Sequence, residues 1–130
     1  MGKSSRDKGK RGEREVAQLF RDSGFSASRG QQNRGGEHSP DVIVDELPML
    51  HIEVKRTKTL ALKKTIKQMQ QDAGPRKRRT LFYRADAPVG GQVGWVVVME
   101  ADQFLRMMTD YRNLENFARK KLQKQQGDAT

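Results

Sequence analysis

Between Ser39 and Lys55 the chain reads S-P-D-V-I-V-D-E-L-P-M-L-H-I-E-V-K, two short apolar runs separated at Leu47-Pro48. Residues two apart in a strand share a face, so Val42 and Val44 point one way and Asp41 the other. On the second run Leu50, Ile52 and Val54 oppose His51, Glu53 and Lys55. A hairpin closed by Glu46, Leu47 and Pro48 pairs Asp45 with Met49 and sets Asp41 opposite Glu53. Directly opposed residues have Cβ atoms ~4.5–5.5 Å apart. Two carboxylates and a lysine then crowd one polar face behind a hydrophobic one.

Carboxylates that close raise one another's pKa unless a cation lies between them. A hard divalent ion such as Mg²⁺ takes oxygen ligands and is commonly held by one or two carboxylates plus phosphate and water. Lys55 on the same face could steer an attacking water or stabilise charge on a phosphate. The same residues also describe a solvated strand face with a cross-strand Asp–Lys or Glu–Lys pair, so the rest of the chain must decide.

Charge decides part of it. Lys and Arg number 26 against 16 Asp and Glu, a net charge of +10, with pI near 10.2. Such a balance favours a polyanionic partner, nucleic acid before an anionic membrane. No run of ~18 apolar residues is present to span a bilayer, and no apolar segment follows the basic N-terminus as in a secretory signal. The chain has no cysteine and 2 histidines, His38 and His51. Disulfides and thiolate-bound zinc are thereby excluded, a histidine-based metal site is disfavoured, and a cytoplasmic setting is expected. At 130 residues the size fits one domain with a modest core.

Taken in order, residues 1–10 read as a flexible basic arm, 11–122 as the folded domain and 123–130 as a disordered tail. Val16, Leu19 and Phe20 recur at helical spacing, and Gly24 is a natural stop, which predicts a helix over Gly12 to Ser23. Glu13, Arg14 and Glu15 fall in its first turn, where acidic groups suit the helix dipole; one of the glutamates could instead reach the Asp41–Glu53 face as a further ligand. Phe25 to Ser28 is a short strand. The loop from Arg29 to Ser39 holds Arg34 and several glycines, and its length suits a phosphate-contacting flap.

Arg56 and Lys58 follow the candidate site directly. A helix is expected from Ala61 to Ala73, with Leu62, Ile66, Met69 and Ala73 as its apolar stripe. Lys63, Lys67 and Gln68 lie on its other faces and could face DNA. Gly74-Pro75 ends it, and Arg76, Lys77, Arg78 and Arg79 form a basic turn able to grip phosphate. Thr80 to Arg84 is a strand. Trp95 to Met99 is an apolar run suited to a strand buried on both faces. Asp102 can cap a last helix whose buried stripe is Phe104, Leu105, Met108 and Tyr111. The class is therefore α/β or α+β, a mixed central β-sheet flanked by α-helices.

Lys8-Gly-Lys-Arg-Gly-Glu-Arg-Glu ahead of an amphipathic helix ending in Gly24-Phe25, then Ser28-Arg29, Pro40-Asp41 and Ile52-Glu-Val-Lys55, resembles the archaeal-type Holliday junction resolvases. These belong to the PD-(D/E)XK nuclease superfamily, and the resemblance runs from about Gly9 to Leu105. It implies a restriction-endonuclease-like α/β core and a metal-dependent endonuclease. Glu13, Asp41 and Glu53 would surround Mg²⁺, for which Mn²⁺ would substitute, and Lys55 would assist the water. Arg14 and Arg29 match positions that contact phosphate or organise the site. The implied partners are four-way junction or other branched DNA and a second copy in a homodimer, with Trp95, Phe82 and Met107 as interface candidates and no membrane. The glutamine- and arginine-rich loop after Arg29, the Arg76–Arg79 cluster and the residues after Met108 depart from the family pattern. Those departures suit a bacteriophage member acting in its host's cytoplasm. Two other readings stay open: a restriction- or repair-type nuclease on the same core, and a non-catalytic basic DNA-binding protein.

Overall fold

Helix, short strand, hairpin, helix, two strands, helix is the order expected, and it is the order found. A computed structural model describes residues 3–30, 39–73, 78–85 and 94–128. Its elements are α1 (Lys3–Asp22), β1 (Ala27–Arg29), β2 (Val42–Val44), β3 (Leu50–Thr57), α2 (Leu62–Ala73), β4 (Arg78–Ala85), β5 (Val96–Met99) and α3 (Ala101–Asp128). The strands form one five-stranded sheet in the order β1-β2-β3-β4-β5. β2 pairs antiparallel with β1 on one side and β3 on the other, whereas β3 and β4 run parallel from Leu50 beside Arg78 to Thr57 beside Ala85. A parallel neighbour requires a crossover, and α2 supplies it. The sheet is therefore mixed, an α/β arrangement.

The hairpin register is the one the alternation dictates. Val42 stands opposite Ile52, and both are fully buried along with Val16 and Leu81. Burying side chains of that size is worth about 1.5–3 kcal/mol each, and a slip by one residue would turn Val42, Val44 and Ile52 out of the core. α1 packs over β1, β2 and β3, and α2 touches β4.

α1 ends as its sequence predicts. Gly24 has φ 93°; its N–H donates to Arg21 O at 3.0 Å, and Phe25 N–H donates to Phe20 O at 3.0 Å. These two bonds, with the Phe20 and Phe25 rings edge to face at 5.9 Å, make a Schellman ending with its hydrophobic contact. The start differs. The helix begins at Lys3 instead of Gly12 and takes in most of the stretch expected as a flexible arm. Glu13 and Glu15 thus lie mid-helix, and the dipole account of them does not apply. The inward stripe also shifts: Ala17 is buried and Leu19 exposed, because residues 13, 16, 17 and 20 share one face at 3.6 residues per turn.

Three further expectations are corrected. On α2 the buried positions are Thr65, Met69 and Ala73, while Leu62 is exposed; Thr65 satisfies its hydroxyl on Ala61 O at 2.9 Å. β4 begins at Arg78, so Arg78 and Arg79 belong to a strand, where Arg78 N–H donates to Met49 O at 2.8 Å. β5 is half-exposed at Val96 and Val97, because it closes the sheet and has one neighbouring strand.

The chain divides into two units, Met1–Val98 and Met99–Thr130. In the second, α3 runs to Asp128, through residues expected as a disordered tail. Asp102 lies inside its first turn, and Phe104 N–H donates to Glu100 O at 3.1 Å. The stripe expected to be buried, Phe104, Leu105, Met108 and Tyr111, is exposed. A unit made of one helix has nothing of its own to lay over it.

Candidate active site

Asp41 sits just before β2, and three bonds fix it. Its N–H donates to Ile52 O at 2.8 Å. Its Oδ2 accepts the Val54 N–H at 2.9 Å, so main-chain groups on both sides of Glu53 hold it. Just past the end of β1, the Gly30 N–H donates to Asp41 O at 2.9 Å. Gly30 itself is buried, and a Cβ there would collide with the Pro40 carbonyl oxygen. Only glycine allows the backbone to approach this closely.

Glu53 projects from β3 toward Asp41 and the two carboxyl groups hydrogen-bond each other. Burial, then the charge of Glu53 and the bond to it, push the Asp41 carboxyl up to about 8 from 3.8; the Val54 N–H pulls the other way and the Glu13 charge adds to the rise. That rise favours a proton held by Asp41 between the two carboxyl groups. Glu53 Oε1 lies 2.9 Å from His51 Nε2, within hydrogen-bond distance.

Glu13, 7 % exposed, enters from α1. Its charge reaches Asp41, but its Oε2 accepts a hydrogen bond from Arg29 Nε at 2.8 Å. Lys55 follows Glu53 by two residues on the same face of β3 and is half-buried. The structure therefore brings Asp41 and Glu53 into contact, with Glu13 in electrostatic range and Arg29 between it and solvent. Among the described residues no three His, Cys, Asp or Glu side chains stand in an arrangement that would hold a metal ion. The donors fit a hard cation as a half-buried, oxygen-only pair whose mutual repulsion a divalent ion would relieve.

The basic residues separate into groups. Arg14, Lys58, Lys63, Lys67 and Gln68 are exposed, and Arg78 and Arg79 are half-buried at the start of β4. Arg56 is engaged elsewhere: its Nη1 donates to Glu15 Oε1 at 2.8 Å. Glu15 Oε2 accepts Arg84 Nη1 at 3.0 Å and Trp95 Nε1 at 3.1 Å. Arg34, Arg76, Lys77 and His38 lie outside the described residues.

Sequence reasoning missed two participants. His51 was placed on a polar strand face, yet it is 3 % exposed and touches Glu53. Glu15 was grouped with Glu13, although residues two apart on a helix point ~200° apart; one glutamate goes to Arg29 and the other to Arg56 and Arg84. The signal for His51 was its place in the H-x-E-x-K alternation. Trp95 and Phe82, taken as interface candidates, pack against the core.

No described helix is long and apolar enough to cross a membrane. No curated protein and no solved structure matches the chain. The family model described as Archaeal holliday junction resolvase (hjc) matches residues 4–71, a span that carries Glu13, Arg29, Asp41, Glu53 and Lys55. By that match over more than half its length, the chain belongs to the archaeal Holliday junction resolvase family, a family of resolvase-type nucleases.

Proposed function

We propose that the chain is a structure-selective endonuclease that cuts four-way DNA junctions by Mg²⁺-dependent phosphodiester hydrolysis, nicking opposed strands as a homodimer. The observation that carries this reading is the half-buried, directly contacting Asp41–Glu53 pair in a chain of this family. A cation bound there would lower the pKa of a coordinated water and offset charge on the phosphate. Asp41 and Glu53 would hold it, their oxygens exchanging a shared proton for the ion. Mn²⁺, with the same ligand preference, would substitute. Glu13 would join them once Arg29 turns from it to a DNA phosphate. Lys55 orients the attacking water and neutralises charge as it builds on the phosphate.

The exposed cations Arg14, Lys58, Lys63 and Lys67, with Gln68, follow the phosphate backbone, and Arg34, Arg56 and the Arg76, Lys77, Arg78 and Arg79 run complete the DNA surface in this reading. Contacts of this kind read shape and phosphate position ahead of base sequence. Paired nicks on opposed strands call for two sites related by a two-fold axis. A cytoplasmic setting is part of this reading.

Strand cleavage of a fixed four-way junction by the wild type and Glu53→Gln, with Mg²⁺ and with EDTA, tests this. Symmetric Mg²⁺-dependent nicks near the branch point, lost in Glu53→Gln while binding persists, are expected. Equal cutting of linear duplex and flap DNA would leave a nuclease and remove the junction preference. Junction binding with no cutting under any condition would leave a DNA-binding protein only.

A further inference from the structure

α3 carries a feature that the nuclease reading does not use. Tyr111 is 60 % exposed, Leu114 69 % and Leu122 59 %, and Phe104 and Met108 are open as well. Phe104, Met108, Tyr111, Glu115, Ala118 and Leu122 follow one another at alternating spacings of four and three residues. That is the period of a coiled-coil seam, which lets one helix face stay against another. From Phe104 to Leu122 it extends about 27 Å at 1.5 Å per residue. The lone charge in the seam is already tied on its own helix: Tyr111 Oη donates to Glu115 Oε1 at 3.0 Å, and Arg119 lies 3.6 Å from Glu115 Oε2.

Two properties of this stripe select its occupant. Its charge is uneven: Asp102 and Asp110 balance Arg106 and Arg112 over the N-terminal half, whereas Arg119, Lys120, Lys121 and Lys124 outweigh Glu115 and Asp128 in the C-terminal half. Two such helices side by side in the same direction would set one basic half against the other, whereas reversal sets each basic half beside a balanced one and opposes their dipoles. The seam is also symmetric under reversal about Asn113. Phe104 then meets Leu122, Met108 meets Ala118, and Tyr111 meets Glu115, with Leu114 flanking the axis. A large side chain opposite a small one, and a hydroxyl opposite a carboxylate, are complementary pairs. A lipid surface fits less well, because acidic residues interrupt the polar faces and no tryptophan lies on α3.

We propose that α3 is a self-association element, pairing antiparallel with α3 of a second copy across a two-fold axis near Asn113. The element lies outside residues 4–71 that match the family. It deepens the dimer of the proposed function by naming its surface, and it does not depend on whether DNA is cut.

The chain has no cysteine, so introduced thiols report without background. In the full-length protein, Met108→Cys combined with Ala118→Cys should oxidise to a covalent dimer in most chains. The two positions are ~15 Å apart along one helix, too far for an intrachain disulfide. Met108→Cys alone should stay monomeric on a non-reducing gel. Sedimentation should show a wild-type dimer that Leu114→Asp with Leu122→Asp weakens at least tenfold, with the far-UV helix signal kept. Cross-linking by Met108→Cys alone would mean parallel pairing and overturn the proposal. So would a wild type that is monomeric at about 50 µM, whether or not it binds anionic vesicles, or a dimer indifferent to the aspartates. A monomer that still cuts junctions sinks this proposal and keeps the nuclease; a dimer that cuts no DNA does the reverse.

Discussion

His51 Nε2 lies 2.9 Å from Glu53 Oε1, and the imidazole is 3 % exposed. A buried hydrogen-bond partner on a candidate ligand fixes its orientation without touching the ion. Removing such a partner typically costs 10–100-fold in metal affinity. His51→Leu should therefore weaken Mn²⁺ binding by about tenfold or more in a calorimetric titration, whereas His51→Gln, whose amide can donate, should keep most of it. Equal affinities in wild type and His51→Leu would leave the histidine a core residue.

Asp41 predicts a pH dependence of unusual sign for a carboxylate. Its pKa is about 8 in the fold against 3.8 ordinarily, so the folded state binds the proton more tightly than the unfolded one. That contribution is complete below pH ~4 and is lost as pH rises through about 8. Metal-free protein should lose up to about 1.4 kcal/mol per pH unit across this window. Urea unfolding in EDTA from pH 5 to 8.5 measures it. Asp41→Asn should flatten the slope, and saturating Mg²⁺ should offset it.

Glu15 gathers Arg56, Arg84 and Trp95 onto one carboxylate. Glu15→Ala strands three donors at once and should cost about 1–3 kcal/mol, read as a lower urea midpoint at unchanged slope. Glu15→Gln, which still accepts a hydrogen bond, should cost less. A neutral Glu15→Ala would mean that solvent replaces all three contacts.

Gly30→Ala adds one methyl group against the Pro40 carbonyl. The strain must move Asp41 or the end of β1, so about 1–3 kcal/mol of stability should be lost, and metal affinity should fall with it. Crystal structures of both forms would show whether Asp41 has shifted. Wild-type stability and affinity together would contradict the close approach.

The hairpin and its polar pair were legible because strand alternation is local: once Val42, Val44 and Ile52 must be inward, Asp41 and Glu53 have no other place. The Schellman ending was legible for the same reason, since Gly24 acts within a few residues. Long-range pairings were not. Nothing in Glu13 or Glu15 marks which meets Arg29 and which meets Arg56, and no local pattern shows that His51 is covered or that β5 ends the sheet.

Composition, the P-D and E-x-K spacing and the heptad spacing of α3 are thus properties of the sequence by itself. They determine a basic α/β chain with a carboxylate hairpin and an amphipathic last helix. Only the tertiary structure decided which charges neutralise one another and which apolar faces stay open. Those outcomes depend on distances between residues as far apart as Glu15 and Trp95, and the interaction between charges is set by separation and burial in space, not by order along the chain.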